Sequence, residues 1–130
     1  MNVEEVIQYW RKSARDDWRT ANRLRDVKEY VPSLFFLHLH LEKILKAKVV
    51  EKIKKHAPWT HNLRALAEQA GLEISDDQRL FLRELSEYCI EARYPSKIRK
   101  MRSYTNRRTV DQFFKKVKEF KRWLTRNEKP

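Results

Sequence analysis

The scarcity of glycine is the feature that most constrains the fold of this chain. Its 130 residues include a single glycine, Gly71, and four prolines. Tight hairpins between strands depend on residues that adopt positive φ, above all glycine and asparagine. So little turn chemistry disfavours a β-sheet, and the sequence predicts an all-α protein.

Length and composition limit the size of this helical fold. Of the 130 residues, 41% are hydrophobic and 12% are aromatic, which is enough for one core but not for two. Charged residues reach 37%, a proportion that suits the solvated faces of long helices. We therefore expect one domain over residues 1–130, an up-and-down bundle of about five helices.

Apolar residues recur at steps of three and four, and this period places the helices. The predicted helices cover residues 2–30, 32–55, 61–70 and 76–95, with a last helix that begins at Thr109. Thr60 or His61 is the expected N-cap of the short third helix, and Gly71 follows its end in the left-handed conformation. Ser75 and Gln78 have the spacing of a capping box for the fourth helix.

The second predicted helix is apolar around most of its circumference. Its hydrophobic residues include Leu34, Phe35, Leu37, Leu41, Leu45 and Val49. One neighbouring helix covers only a stripe, so a helix of this kind lies at the centre of a bundle or at a subunit interface. We expect both roles, and hence a homodimer through this helix and a neighbour.

The fourth predicted helix contains the only cysteine. Its apolar positions are Leu80, Phe81, Leu85, Tyr88, Cys89 and Ala92. A lone thiol among apolar neighbours predicts a buried, inert residue rather than a reactive one. The acidic opening of the chain does not resemble a signal peptide, and no segment has the ~20 apolar residues that span a bilayer. We expect a cytoplasmic protein.

The charge of the chain is concentrated in its last third. Residues 1–92 carry sixteen Lys/Arg and fifteen Asp/Glu, whereas residues 93–130 carry fourteen and three. Such asymmetry is typical of proteins that bind nucleic acids or polyphosphates. The alternative is a solvated basic segment without a dedicated ligand.

Three short motifs carry a family resemblance. Residues 40–47 read HLEKILKA, residues 61–67 read HNLRALA and residues 91–95 read EARYP. In type, order and spacing they resemble the HEPN family (higher eukaryotes and prokaryotes nucleotide-binding). The resemblance implies a small helical bundle that handles nucleotides or RNA, often beside a separately encoded nucleotidyltransferase and sometimes in a toxin–antitoxin-like pair.

The third motif and the residues after it are the candidate binding site. Arg93 can hold a phosphate in a bidentate manner and Tyr94 can stack on a base. The segment from Arg93 to Arg108, both included, contains seven Lys/Arg and is predicted to be a connector, with Tyr104 as a second stacking ring. The candidate residues are Arg93, Tyr94, Lys97, Arg99, Lys100, Arg102, Arg107 and Arg108. The alternatives are an Arg93 salt bridge, to Glu91 or to a neighbouring helix, and a buried Tyr94 ring.

Lys43, Lys46 and His61 are secondary candidates because they belong to the first two motifs. Both lysines are expected to be structural, either at the dimer face or paired with acids of the first helix. His61 is expected to cap the third helix rather than to contact a ligand.

Catalysis and metal binding have weaker support. HEPN ribonucleases share an Arg-x4–6-His motif near their last long helix, but the last histidine here is His61 and no arginine precedes any histidine at that spacing. His38 and Glu42 share a helical face, yet a third ligand is missing there, so no metal or cofactor is predicted. A non-catalytic binding subunit is the preferred function. The alternatives are a ribonuclease with an atypical active site and a structural adaptor.

Overall fold

The computed structural model describes residues 1–126, and this part of the chain folds into six α-helices without a strand. The all-α prediction is confirmed, with six helices rather than about five. The helices are α1 (Val3–Asp26), α2 (Tyr30–Ile53), α3 (Leu63–Gln69), α4 (Asp76–Glu91), α5 (Pro95–Tyr104) and α6 (Arg107–Arg126). None of them is long and apolar enough to span a membrane.

Helix α1 begins and ends for local reasons. The Asn2 side chain accepts a hydrogen bond from the Glu5 amide at 3.0 Å and thereby caps the first turn. The helix ends at Asp26, four residues before the predicted end at Tyr30, because Lys28 adopts a left-handed φ of 65° and turns the chain into α2. An exposed lysine does not interrupt the repeat of apolar residues, so the sequence pattern could not place the end of the helix here.

Helix α2 is the central helix, and it packs against α1, α3, α4, α5 and α6. Leu34, Leu37, Leu41, Leu45 and Val49 are all fully buried within the single chain. The other helices therefore cover the wide apolar surface from which an interface through α2 was predicted. The central position is confirmed, but the apolar surface gives no reason for a dimer at this helix.

The connection through α3 to α4 follows the predicted signals with one correction. The N-cap of α3 is Asn62, whose Oδ1 accepts from the Ala65 amide at 3.0 Å, rather than Thr60 or His61. Gly71 has the expected left-handed φ of 76°. Ser75 and Gln78 form the capping box, with contacts of 3.1 and 2.8 Å between side chains and amides.

Helix α4 packs one face into the core through Phe81, Leu82, Leu85, Tyr88 and Cys89. Leu80, which the sequence analysis counted among the apolar positions of this helix, lies on the outer side and is 46% exposed. Helix α4 therefore carries apolar residues on two opposite faces, which the sequence pattern alone does not separate.

The segment predicted as a basic connector contains a helix. Pro95 does not only end α4; it occupies the first turn of α5, where its missing amide costs no hydrogen bond and its fixed φ suits a helix. Met101 and Thr105 are buried and Ile98 is half-buried, so α5 packs a narrow stripe against the bundle. Helix α6 closes the core with Val110, Phe114, Val117, Phe120 and Leu124.

Candidate nucleotide-binding surface

Helix α5 holds a group of cations at the surface. Its residues at steps of three and four, Ile98, Met101 and Thr105, face the bundle. The residues between them therefore point away from the core. Lys97, Arg99, Lys100 and Arg102 are all exposed. The predicted binding residues are thus presented by a helix rather than by a loop.

These cations lack neutralising partners. In the part of the chain that the structure describes, none of the four α5 cations forms an ion pair, and neither does Arg108. We call Lys97, Arg99, Lys100, Arg102 and Arg108 the cationic face. Five unpaired positive charges within twelve residues repel one another and create a positive potential outside the helix.

Arg107 lies beside the cationic face but is partly neutralised. Its Nε donates to both carboxylate oxygens of Asp111, at 3.1 and 3.2 Å. Hydrogen bonding to Asp111 and the charge of that carboxylate raise the pKa of Arg107, with a smaller contribution from Tyr30. Asp111 also lies 3.6 Å from Arg25 of α1. Of the eight predicted residues, Arg107 is therefore the one with the most evident structural role.

Two aromatic rings border the cations. Tyr94 is the N-cap residue of α5 and is 58% exposed, whereas Tyr104 ends the same helix and is 52% exposed. The alternative of a buried Tyr94 ring is wrong. A ring with an open face can stack on a nucleobase, a contact that tolerates any base.

Arg93 lies at the junction between α4 and α5 and contacts the core thiol. Burial raises the pKa of Cys89, as does the charge of Glu42, while the charge of Arg93 and its hydrogen bond to the sulfur oppose this rise. Cys89 is 1% exposed, so the prediction of a buried thiol is confirmed. Within residues 1–126, Arg93 makes no salt bridge to Glu91 or to any other acid, and its side chain is exposed.

The secondary candidates are engaged in the core instead. Lys43 lies 2.7 Å from Asp17 of α1 and donates to the Ser13 hydroxyl, also at 2.7 Å. Its predicted pairing with an acid of the first helix is confirmed. Lys46 lies 3.0 Å from Glu42 of its own helix and packs over the Trp10 ring at 5.1 Å.

His61 joins this polar group from the surface, and its side chain is 50% exposed. Its Nδ1 donates to Glu42 Oε1 at 2.8 Å, and its backbone carbonyl accepts from His38 Nε2 at 3.1 Å. We call His38, Glu42, Lys46 and His61 the buried seam, in which the first three are buried and His61 forms the outer, exposed end. The seam fastens the segment before α3 onto α2, which is a structural role different from the helix cap that was predicted.

The protonation of His38 follows from its surroundings. Burial lowers its pKa from 6.5 to about 4, although Glu42 and the His61 carbonyl act in the opposite direction. A carbonyl can only accept, so the proton of the neutral ring resides on Nε2. His38 Nε2 and His61 Nδ1 each donate a hydrogen bond within the seam. Among the described residues, no group of three or more His, Cys, Asp or Glu is arranged to hold a metal ion.

Helix α6 adds cations that the motif-based prediction did not include. Lys115, Lys116, Lys118 and Arg122 are exposed along it, with Glu119 among them. Lys121 is different, because it lies 4.1 Å from the centre of the Trp18 ring, and burial lowers its pKa. The signal for the exposed cations was their helical spacing opposite Phe114 and Val117.

Residues of the three sequence motifs lie near one another in the fold. Glu42 of the first motif binds His61 of the second. The charge of Glu42 raises the pKa of the Cys89 thiol, while Arg93 of the third motif lowers it. The motifs are therefore neighbours in the fold, and the cations of α5 follow directly after the third motif.

This helical architecture and its motifs define a member of a known class. The HEPN domain family model matches residues 7–128, and the chain belongs to this family. HEPN domains have functions related to nucleotides or RNA. Neither the search of curated proteins nor the search of solved structures found a match to the chain.

Proposed function

We propose that residues 1–130 form one HEPN domain that binds nucleotides or nucleic acid through the cationic face, without cutting them. The observation that carries this proposal is the absence of any acid paired with Lys97, Arg99, Lys100, Arg102 or Arg108 in the described chain. Unpaired cations beside exposed tyrosines match the chemistry of a phosphate backbone with accessible bases. Membership of the HEPN family supports the same ligand class.

The proposal includes two protein partners. One is a separately encoded nucleotidyltransferase, with which the domain acts in a toxin–antitoxin-like pair in the cytoplasm. The other is a second copy of the chain in a homodimer. Co-expression with the product of a neighbouring nucleotidyltransferase gene, followed by co-purification, tests the first partner. Two proteins that elute separately would contradict it.

The binding site is tested by removing its charge. The variant Lys97→Ala/Arg99→Ala/Lys100→Ala/Arg102→Ala lacks four exposed cations and should keep the fold, since exposed substitutions change stability by about 0.5 kcal/mol or less each. Affinity for a labelled single-stranded oligonucleotide is measured at several salt concentrations. If all four contact phosphates, the slope of log K against log salt should become shallower by about 3.

A matched control removes the same charge from α1. Lys12, Arg15, Arg19 and Arg23 are exposed on that helix, and their joint replacement by alanine lowers the net charge equally. This control should retain most of the affinity and of the salt slope. Equal losses in both variants would reduce the interaction to nonspecific charge, and no loss in either would favour a structural adaptor.

Stacking by Tyr94 is tested separately. Tyr94→Ala should weaken binding by about 1–3 kcal/mol if the ring lies on a base, whereas Tyr94→Phe keeps the ring and should bind nearly as well as the wild type. Equal affinities for all three proteins would remove Tyr94 from the site.

The ribonuclease alternative has its own test. Metal-free RNA cleavage that is lost on replacing one histidine would favour this alternative over a non-catalytic binding subunit.

A further inference from the structure

The outer face of α4 carries an apolar stripe that the bundle does not use. Leu80 is 46% exposed and Ile90 is 56% exposed, although the helix buries its opposite face in the core. Arg83 and Glu87 lie between them and are also exposed. Steps of three, four and three residues place all four side chains on one side of the helix. We call these four residues the α4 stripe.

The charged residues of the stripe are unpaired among residues 1–126. Arg83 and Glu87 are four residues apart, a spacing at which helical ion pairs form. The arginine precedes the glutamate, which is the less favourable order, and no ion pair joins them or links either to another described residue. Each charge is therefore available to a partner outside the chain.

The order of the four residues makes the stripe complementary to itself. If a second α4 runs antiparallel about a two-fold axis at residue 85, Leu80 meets Ile90 of the second copy, and Arg83 meets Glu87. Both pairs have the same midpoint, so one register satisfies them together. A two-fold axis repeats each contact, giving two apolar contacts and two ion pairs in total.

A groove beside α4 offers room for this arrangement. It has a volume of about 580 Å³ and lies between α4 and the start of α3. All four residues of the stripe line it, together with residues such as His61 and Asn62. A second α4 can therefore place side chains into a concave surface rather than onto a flat one.

From this symmetry we infer that the α4 stripe is the interface for a second copy of the chain. The inference rests on the homodimer of the proposed function and gives it a surface other than α2. It does not depend on nucleotide binding. Leu80 and Ile90 provide the apolar contact, and the Arg83–Glu87 pairs fix the antiparallel register.

The first test exchanges the charges of the stripe. Arg83→Glu should weaken self-association at least about tenfold, because it places two acids against each other at both ends of the axis. Glu87→Arg should do the same. The double variant Arg83→Glu/Glu87→Arg restores opposite charges and should dimerise like the wild type. Sedimentation equilibrium without nucleic acid measures all four proteins.

The control for this test is an exposed cation outside the stripe. Arg19 of α1 is exposed and paired with Asp16 of its own helix, and it does not line the groove beside α4, so Arg19→Glu should leave self-association unchanged. A monomeric wild type at every concentration, or a double variant as weak as the single ones, would overturn the inference. Oligonucleotide affinity is measured separately, so a failure of the proposed binding site would be visible as a different result.

The second test fixes the register by cross-linking. The double variant Leu80→Cys/Ile90→Cys should form an interchain disulfide on oxidation, whereas each single variant should not. In the antiparallel pair, two copies of position 80 lie about 15 Å apart along the helices, too far for a disulfide. The wild type, with Cys89 buried, is the background control. Equal cross-linking of the single and double variants would exclude the proposed register.

Discussion

The buried seam and the cationic face use the same kinds of side chain in opposite ways. In the seam, Glu42 is 3% exposed and meets Lys46 at 3.0 Å and His61 at 2.8 Å. In the cationic face no described residue is paired with an acid. Paired charges in a region of low dielectric hold two elements together, whereas unpaired exposed charges contribute nothing favourable to folding. The seam is therefore a structural element, and the cationic face is available to a ligand.

The largest effect on stability is expected from removing Glu42, the acid of the buried seam. Glu42→Ala leaves the buried Lys46 ammonium without its carboxylate and His61 without its acceptor, and should reduce the free energy of unfolding by about 3–5 kcal/mol. Urea unfolding measures this change. Glu73→Ala removes an exposed acid and should stay within about 0.5 kcal/mol of the wild type. Similar losses in the free energy of unfolding of both variants would show that the seam has no special structural role.

Acid should weaken the seam and the neighbouring core. The pKa of His38 and of His40 is lowered by burial from 6.5 to about 4, while in the unfolded chain both return to the ordinary value. Between pH 6.5 and 4 the unfolded state binds more protons, so the free energy of unfolding falls as the pH decreases. The loss is on the order of 3 kcal/mol for each histidine.

The control for the pH prediction is a pair of substitutions. His38→Gln and His40→Gln each remove one titrating ring, so each variant should show a smaller loss over this pH range than the wild type. Urea unfolding at closely spaced pH values provides the curves. A wild type whose stability is constant from pH 6.5 to 4 would show that both rings take up protons as readily in the folded state as in the unfolded chain.

A smaller effect is expected where a cation pairs at the edge of the core. Lys43→Ala leaves Asp17, which is 7% exposed, without the ammonium group 2.7 Å away. We expect a loss of about 1–3 kcal/mol in the free energy of unfolding. Lys100→Ala on the cationic face is the matched control and should not change stability. A destabilised control would mean that the cationic face also holds the fold together.

The smallest effect on stability is expected for Arg107→Ala. The residue is exposed and paired with Asp111, so its loss should leave the midpoint of thermal unfolding within experimental error. Oligonucleotide affinity should fall less than it does for Arg108→Ala, because Asp111 already neutralises Arg107. A clear drop in the unfolding midpoint would assign Arg107 to the structural region.

Much of the fold was predictable because long amphipathic helices repeat apolar residues at steps of three and four along the sequence. The same period failed for α5, which buries only Met101 and part of Ile98 in its ten residues. Two apolar positions among four cations do not define a helical face, and Pro95 suggested an end rather than a beginning. The wide apolar surface of α2 led to the prediction of a dimer interface at this helix. Five neighbouring helices cover that surface, and the sequence does not specify how many neighbours a helix has.

The candidate surface was only partly predictable. Exposure of Lys97, Arg99, Lys100 and Arg102 follows from composition, since a run of cations cannot be buried without acids nearby. The pairing of Lys43 with Asp17 and of His61 with Glu42 joins residues 26 and 19 positions apart on different elements. Such distances are set by tertiary packing, so spacing along the chain gives no information about them.

The pairing in the buried seam has a consequence for how this sequence can change over time. His38, Glu42, Lys46 and His61 are joined by hydrogen bonds and an ion pair, so substituting one alone takes a partner from another. Related chains should therefore exchange these four positions as a set or keep them together. On α5, by contrast, a lysine can be lost at one position and regained at the next turn without cost to the fold. Selection there acts on the total charge of the helix rather than on any single position.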